Sequence, residues 1–382
     1  MNKKLTIKEK FLKIKKRHRK NTNWHVSMTL VVTLVLMVTF NLFTSASPKI
    51  ITVNNDDTLL SLTMVGDIQL GHFIEREGNR KGFNQVFSNV ADLLNKSDYV
   101  TGTMENADNT TVGQSREFLK ALQSANFQNI NLGTNSMTIE NTKEAISSLN
   151  TVGLDYVGIG SDILDAQNIL YQDINGVRVA TLGFNQLGGN YAGRTNPGTL
   201  PALPNIFMPL MREANENADL VVVHVHWGDE FASRPNDRQI QLAEQLTDLG
   251  ADIIIGNNPN VIQPMEMIGD TLVFYSLGNF IYEQTFSTRK EGVIAKLDID
   301  NNGNGRLELI PTWLNEGKPT PLTGRLDFYR RNRVIKGITR DLNKEAWTVE
   351  DNKVIIQLGD MYEISQENEL NLDNDNGLDY EM

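Results

Sequence analysis

Six short stretches of this sequence place ligating or hydrogen-bonding side chains directly after β-like runs. Asp67 follows Met64-Val65-Gly66, Glu105-Asn106 follow Thr103-Met104, and Asn135-Ser136 follow the short run Asn129 to Leu132. His226-Trp227-Gly228-Asp229-Glu230 closes the apolar run from Leu220. Gly256-Asn257-Asn258-Pro259-Asn260 follows Ile253 to Ile255, and Tyr275-Ser276-Leu277-Gly278-Asn279-Phe280 overlaps the run from Thr271. Sites in open α/β sheets gather at the carboxyl ends of strands. Carboxylates that bridge cations, an imidazole with a directional nitrogen and amide oxygens that complete a shell together describe a divalent-metal cluster. Singly, each residue has a plainer explanation. Asp67 after glycine suits a turn or helix N-cap, Glu105 a solvated loop, and His226 a hydrogen-bonded core histidine. Only their joint placement argues for chemistry.

The elements that must position these loops alternate in type. Strand-like segments are expected at Leu59 to Val65, Tyr99 to Met104, Asn129 to Leu132, Asp155 to Ile159, Leu220 to His226, Ile253 to Ile255 and Thr271 to Ser276. Helices are expected at Phe83 to Leu94, Phe118 to Ala125, Thr142 to Asn150, Asn205 to Asn217 and Arg238 to Leu249. Asn175-Gly176 between Leu170–Ile174 and Val177–Phe184 predicts a hairpin with a type I′ turn. The repeated strand–helix order indicates an α/β fold with a largely parallel sheet. Beyond Lys290 the pattern changes to a hairpin, Val293 to Ile299 with Arg306 to Ile310, and then a helix over Leu326 to Leu342.

The termini differ in character from this body. Residues 1–25 carry ten lysines and arginines and one acid, Glu9, about +9 in all, in a chain of 382 residues with formal net charge -11. The remainder is therefore acidic by about -20, which makes nucleic acid a poor partner. Val26 to Phe43 is apolar apart from Ser, Thr and Asn. As a helix it spans roughly 27 Å, close to the hydrocarbon thickness of a bilayer. Trp24 suits the headgroup level, and the basic run places residues 1–25 in the cytoplasm and the body outside. A cleaved signal peptide ending near Thr44-Ser45-Ala46 is the rival. The long basic segment and long apolar run favour an uncleaved, single-pass anchor over residues 26–46. Residues 47–58 read as a linker, 59–320 as the folded domain, 321–365 as a C-terminal extension and 366–382 as an acidic, disordered tail. The chain has no cysteine, so thiolate chemistry and disulfides are excluded, and stability must come from the core.

The motifs are specific in combination. Gly66-Asp67-Ile68-Gln69-Leu70-Gly71, Glu105-Asn106, Val157-Gly158-Ile159-Gly160 and His226-Trp227-Gly228-Asp229-Glu230 occur together with Gly250-Ala251-Asp252-Ile253-Ile254-Ile255-Gly256 and Tyr275-Ser276-Leu277-Gly278-Asn279-Phe280. Over roughly residues 55 to 320 the chain resembles the CapA family of poly-γ-glutamate capsule proteins. That resemblance implies a metallophosphatase-like α/β/β/α sandwich behind an N-terminal transmembrane helix, with a two-metal site on its loops. Carried over, it makes Asp67, Glu105, Asn135 and His226 metal ligands, and makes Trp227, Glu230, Tyr275 and Asn279 pocket residues. It also implies partners at the cell surface: poly-γ-glutamate, a Mur-ligase-like amide ligase and a multi-span membrane subunit.

The departures bear on activity. The family pattern Asn-Asn-His is here Thr134-Asn135-Ser136, so the expected proton donor is a serine hydroxyl, which cannot act as an acid near neutral pH. Gly-His-His-Pro-His is here Gly256-Asn257-Asn258-Pro259-Asn260, leaving Asn257, Asn258 and Asn260 as a degenerate metal loop. Of five histidines only His72, His224 and His226 lie beyond the anchor. Oxygen-rich ligands suit manganese, magnesium or calcium, or no metal at all. Three functions follow as expectations: a capsule synthesis or export component with a degenerate site, an active metal-dependent hydrolase of phosphoester or amide bonds, or a repurposed binding protein. Acidic protein and acidic polymer repel unless cations or a basic patch intervene, and Arg178, Arg194, Arg234 and Arg238 are the arginines considered for such a patch.

Overall fold

The computed structural model describes residues 58–106, 116–284 and 286–360, with Met28 and Thr33. The basic segment 1–25, nearly all of the anchor 26–46, the linker to residue 57 and the tail 366–382 lie outside the described residues. Among those described, no helix is long and apolar enough to cross a membrane.

The strands in chain order are β1 (Thr58–Gln69), β2 (Tyr99–Glu105), β3 (Asn129–Asn131), β4 (Asp155–Val157), β5 (Ile159–Gly160) and β6 (Leu170–Ile174). Then come β7 (Val177–Asn185), β8 (Gly198–Thr199), β9 (Leu220–His226), β10 (Ile253–Asn257), β11 (Met265–Ile268) and β12 (Thr271–Phe274). The last are β13 (Asn279–Ile281), β14 (Glu291–Asp300), β15 (Asn304–Asn315), β16 (Lys318–Pro321), β17 (Thr348–Glu350) and β18 (Lys353–Asp360). The helices are α1 (His72–Lys81), α2 (Ala91–Leu94), α3 (Arg116–Ser124), α4 (Ile139–Val152), α5 (Ile163–Ala166), α6 (Pro204–Asn217), α7 (Asp237–Asp248) and α8 (Phe328–Ile338).

Two sheets dominate. The first runs β17-β18-β15-β14-β1-β2-β3-β4, with β13 added to β1 and β16 to β15. The second runs β11-β12-β10-β9-β7-β6. Side chains alternate across a strand, so each sheet needs a cover on both faces. Leu60, Leu62 and Met64 of β1 and Val293 and Leu297 of β14 pack with Val179, Leu220, Val222, Ile253 and Ile255 of the second sheet, which forms the inner layer between the sheets. Val65, Val100 and Ile130 face the other way, against Phe118, Leu122 and Leu149 of α3 and α4. Val221, Val223 and Ile254 pack on Phe207 and Met211 of α6 and Leu242 and Leu246 of α7. The layers are therefore α/β/β/α.

Local chemistry explains several boundaries. Asn175 and Gly176 have φ of 53° and 85°, the paired positive values that a type I′ hairpin requires. Thr138 caps α4 by accepting from the Asn141 N–H, and Asn236 and Gln239 form a capping box at α7.

Two sequence expectations need correction, and one helix is unanticipated. Phe83 to Leu94 is not one helix but a 3-10 turn, Phe83–Phe87, followed by α2. Ser88 and Asn89 in its middle compete for backbone hydrogen bonds and favour a turn. The first sheet is mixed, because the hairpins built from β14 to β18 add antiparallel strands beside the parallel set β13-β1-β2-β3-β4. Helix α1 has no sequence expectation behind it: it buries only Ile74 and Gly78, too few positions for an apolar stripe. The extension beyond residue 320 is part of this architecture. Val334, Ile335 and Ile338 of α8 enter the inner core, and β18 pairs with β15.

Candidate functional site

The site forms where strands of the two sheets end together. Asp67 is set by a close approach of backbones. A Cβ on Gly66 would lie 1.8 Å from the Gly278 carbonyl oxygen. Only glycine allows β1 to come so near β13, where the Asp67 N–H donates to that oxygen at 3.0 Å. Asp67 is then level with Asn279 on one side and Thr103 on the other. Across the gap, Asn257 of β10 is level with His226 of β9.

Hydrogen bonds knit these ends together. The Asn257 amide donates to Asp67 Oδ1 at 3.0 Å, and its own oxygen accepts from Thr103 Oγ at 2.6 Å. Asn258 donates to the carbonyls of Trp227 and Gly228, and Asn260 to the carbonyl of Asn258. Asn279 donates to the carbonyls of Asn260 and Arg289. Asn258 and Asn260 have φ of 93° and 57°, values that asparagine tolerates better than most residues. The asparagine loop is thus a brace in which amide donors hold backbone and carboxylate in place.

One set of atoms has no donor. Asp67 Oδ2, Glu105 Oε1, His226 Nδ1, Asn260 Oδ1 and Asn279 Oδ1 are all buried without a hydrogen-bond partner. His226 explains its own case. Its Nε2 lies 3.1 Å from Asn135 Oδ1, so Nε2 carries the proton and donates. Nδ1 is left as a lone pair, 3.5 Å from Glu105 Oε1. An unpaired buried polar group costs about 1–3 kcal/mol. These five acceptors lie on β1, β2, β9, the loop after β10 and the start of β13, and a cation is one partner that would satisfy them.

The titration of these groups follows from the same burial. Burial pushes Asp67 up to about 7, against the lowering pull of Asn257 and the Asn258 N–H. Glu105 is held well above the ordinary glutamate range by burial, then by Asp67 and Glu230. Burial lowers His226 to about 3, so its imidazole is neutral and can ligate near neutral pH. By chemical type alone, two carboxylates, two amide oxygens and one imidazole suit a hard divalent ion. No three His, Asp or Glu side chains among the described residues, Asp67, Glu105 and His226 included, are grouped closely enough to hold a metal, so binding an ion would require these side chains to draw together.

The other residues singled out from sequence take defined places. Asn135 is exposed at the rim, with its amide oxygen turned to His226. Ser136 sits beside it; its hydroxyl accepts from the Asn106 N–H and contacts the Thr134 hydroxyl. Glu230 is exposed at the mouth. Trp227 and Tyr275 lie behind the site in the outer core. The indole donates to the Tyr275 carbonyl at 2.9 Å, and the Tyr275 hydroxyl donates to Glu266. His224 is a satisfied core histidine bound at Nε2 to Thr101 Oγ at 2.9 Å. The sequence reading missed Thr103, which links Asn131 and Asn257, and Tyr282, whose hydroxyl is pushed up by burial, Glu105 and Asp67. Thr103 had a signal: Tyr99, Thr101, Thr103 and Glu105 alternate along β2 toward the facing sheet. Tyr282 had none, since it lies beyond the glycine motif.

With the geometry in hand, comparison with known proteins is direct. The sequence profile described as "Bacterial capsule synthesis protein PGA_cap" matches residues 61–284. The "PGA biosynthesis protein CapA" of Bacillus subtilis (strain 168) is 38% identical over 376 residues, 94% of this chain and 98% of that protein. The "Capsule biosynthesis protein CapA" of Bacillus anthracis is 35% identical over 389 residues, 96% of this chain and 94% of that one. Among solved structures, a hypothetical protein from Thermus thermophilus aligns at TM-score 0.43 and 15% identity, covering 69% of this chain and 98% of that one. The 5'-nucleotidase of Candida albicans aligns at TM-score 0.40 and 13% identity, covering 62% and 48%. By profile and by full-length identity alike, this chain belongs to the bacterial capsule synthesis protein family, PGA_cap.

Proposed function

We propose that the chain is a membrane-anchored, outward-facing component of poly-γ-glutamate capsule synthesis or export, working with a Mur-ligase-like amide ligase and a multi-span membrane subunit. Its strand-end site holds one hard divalent cation, magnesium, calcium or manganese, and does not run two-metal hydrolysis. The observation that carries this is the set of five buried acceptors without donors, beside an asparagine loop whose amides are already spent as braces. Asp67, Glu105, His226, Asn260 and Asn279 would hold the ion, and Asn135 would orient His226. When bound, the ion would neutralise the Asp67 and Glu105 carboxylates and could offer an open coordination position to an oxygen of an anionic chain. The chain's own residues supply no leaving-group acid at the rim, where Ser136 stands. The basic segment before Val26 to Phe43 supports the outward orientation.

Complementation tests the reading. A capsule-forming host lacking its own family member should regain cell-bound poly-γ-glutamate with this chain and not with Asp67→Asn. The purified full-length chain should release no product from model phosphodiesters in manganese. Restoration by Asp67→Asn would remove the cation from the function, and metal-dependent turnover would favour the hydrolase.

A further inference from the structure

A second cleft, of about 480 Å³, opens beside the cation site. Arg289, Arg333 and Arg340 line it, with Phe231 and Phe286 at its edge and Glu291 in its wall. In an acidic chain this concentration of guanidinium groups is out of character. Arg333 is paired with Glu291. Arg289 and Arg340 have no carboxylate partner among the described residues. The Arg289 guanidinium lies 3.4 Å from the centroid of Phe231 and 5.0 Å from that of Phe286. Both rings are exposed, by 43% and 63%. They hold the guanidinium by its face, and among the described residues its N–H groups make no hydrogen bond. Arg340 is tied down through one nitrogen only, which donates to the Ser233 carbonyl at 3.2 Å.

The cleft and the cation site share structure. Val261 and Ile262 in the cleft wall follow Asn260 directly. The Phe231 N–H donates to the Pro259 carbonyl, and Asn279 donates to the Arg289 carbonyl. An anion in the cleft therefore lies next to the braced asparagine loop.

We propose that this cleft binds a linear polycarboxylate, with successive carboxylates received by Arg289 and Arg340 and the methylenes between them laid on Phe286 and Phe231. Guanidinium matches carboxylate in a two-point fork, and the volume is that of a small-ligand site. The proposal rests on the capsule reading above for its choice of polymer: γ-linked glutamate offers regularly spaced carboxylates on an amide-linked backbone with two methylenes in each residue. It also answers the charge problem, because the chain's net negative charge is locally reversed where the polymer would run. Arg178, considered for this role from sequence, instead lies over Tyr171 on the opposite sheet edge.

The test uses the full-length chain in detergent, with EDTA present so that no cation bridges protein and polymer. Fluorescein-labelled poly-γ-glutamate is titrated and its anisotropy read at low and high salt. The wild-type chain should bind, more weakly at high salt, and Arg289→Ala/Arg340→Ala should bind at least about tenfold more weakly with a flatter salt dependence. Arg340→Glu, at an exposed position that leaves the core untouched, should show the same direction. A control pair away from the cleft, Arg178→Ala with Arg212→Ala at an exposed position of α6, should stay within about twofold of wild type. Equal binding by the wild type and the Arg289→Ala/Arg340→Ala pair overturns the proposal. So does tighter competition by linear polyphosphate than by unlabelled poly-γ-glutamate. A chain that restores capsule in the complementation assay yet binds no polymer sinks the cleft and leaves the capsule role standing. Arginine-dependent binding without restored capsule does the reverse.

Discussion

Asp67 and Glu105 are two carboxyl groups buried side by side, and their protons report on the site. In the folded chain without a cation, Asp67 sits near 7 and Glu105 well above its ordinary range, whereas both ionise near pH 4 when unfolded. The folded state therefore binds more protons, and stability falls as pH rises through those folded values. His224 and His226, both lowered to about 3, act oppositely, but only below their unfolded value near 6.5. Between about pH 6.5 and 8 those histidines are largely neutral in both states, and the slope comes from the raised carboxyls, chiefly Asp67 and Glu105, with the end of the Asp252 titration near 6 overlapping its start. Thermal midpoints in EDTA should drop across that window, and saturating calcium or magnesium should flatten or reverse the drop. Asp67→Asn should lose both the cation response and part of the slope; an unchanged slope would place the buried protons elsewhere. At this scale the sequence was legible where chemistry is local. It marked Asp67, Glu105, His226 and the three asparagines. It could not tell that Asn257 spends its amide on Asp67 and its oxygen on Thr103, because those partners are 190 and 154 residues away.

At the scale of elements, close backbone contact does the positioning. A Cβ on Gly256 would stand 2.2 Å from both Trp227 Nε1 and the Tyr275 carbonyl oxygen. Gly256→Ala should therefore push β10 away from the Trp227–Tyr275 pair and cost about 1–3 kcal/mol in urea unfolding. Gly359→Ala, whose Cβ would meet nothing within 4 Å, should be neutral within about 0.5 kcal/mol. Equal effects would mean that the crowding at Gly256 relaxes without strain. Trp227→Phe should cost about 1 kcal/mol or more, since it leaves the buried Tyr275 carbonyl without the indole donor. The apolar run of β9 and the Asn175-Gly176 hairpin were readable because periodicity and turn chemistry act within a few residues. Helix α1 was not, because its burial falls on two positions of ten.

At the scale of the molecule, the family profile ends at residue 284 but the fold does not. Strands β14 and β15 form the middle of the first sheet, and α8 supplies Val334, Ile335 and Ile338 to the inner core. A chain ending at Pro321 should expose that core and fail to accumulate as a soluble or extractable protein; normal yield and unfolding would show that α8, β17 and β18 are accessory. The alternation of strand and helix made the α/β class readable, yet the mixed first sheet was hidden, since strand direction depends on long-range pairing. Above all, the proposed function requires one oxygen-rich cation site among Asp67, Glu105, His226, Asn260 and Asn279. Equilibrium dialysis of the full-length chain against magnesium, calcium, manganese and zinc, followed by elemental analysis, tests this most directly. One equivalent of magnesium, calcium or manganese, lost in Asp67→Asn, is the predicted result. Two equivalents of a transition metal, or no bound cation under any condition, would contradict it.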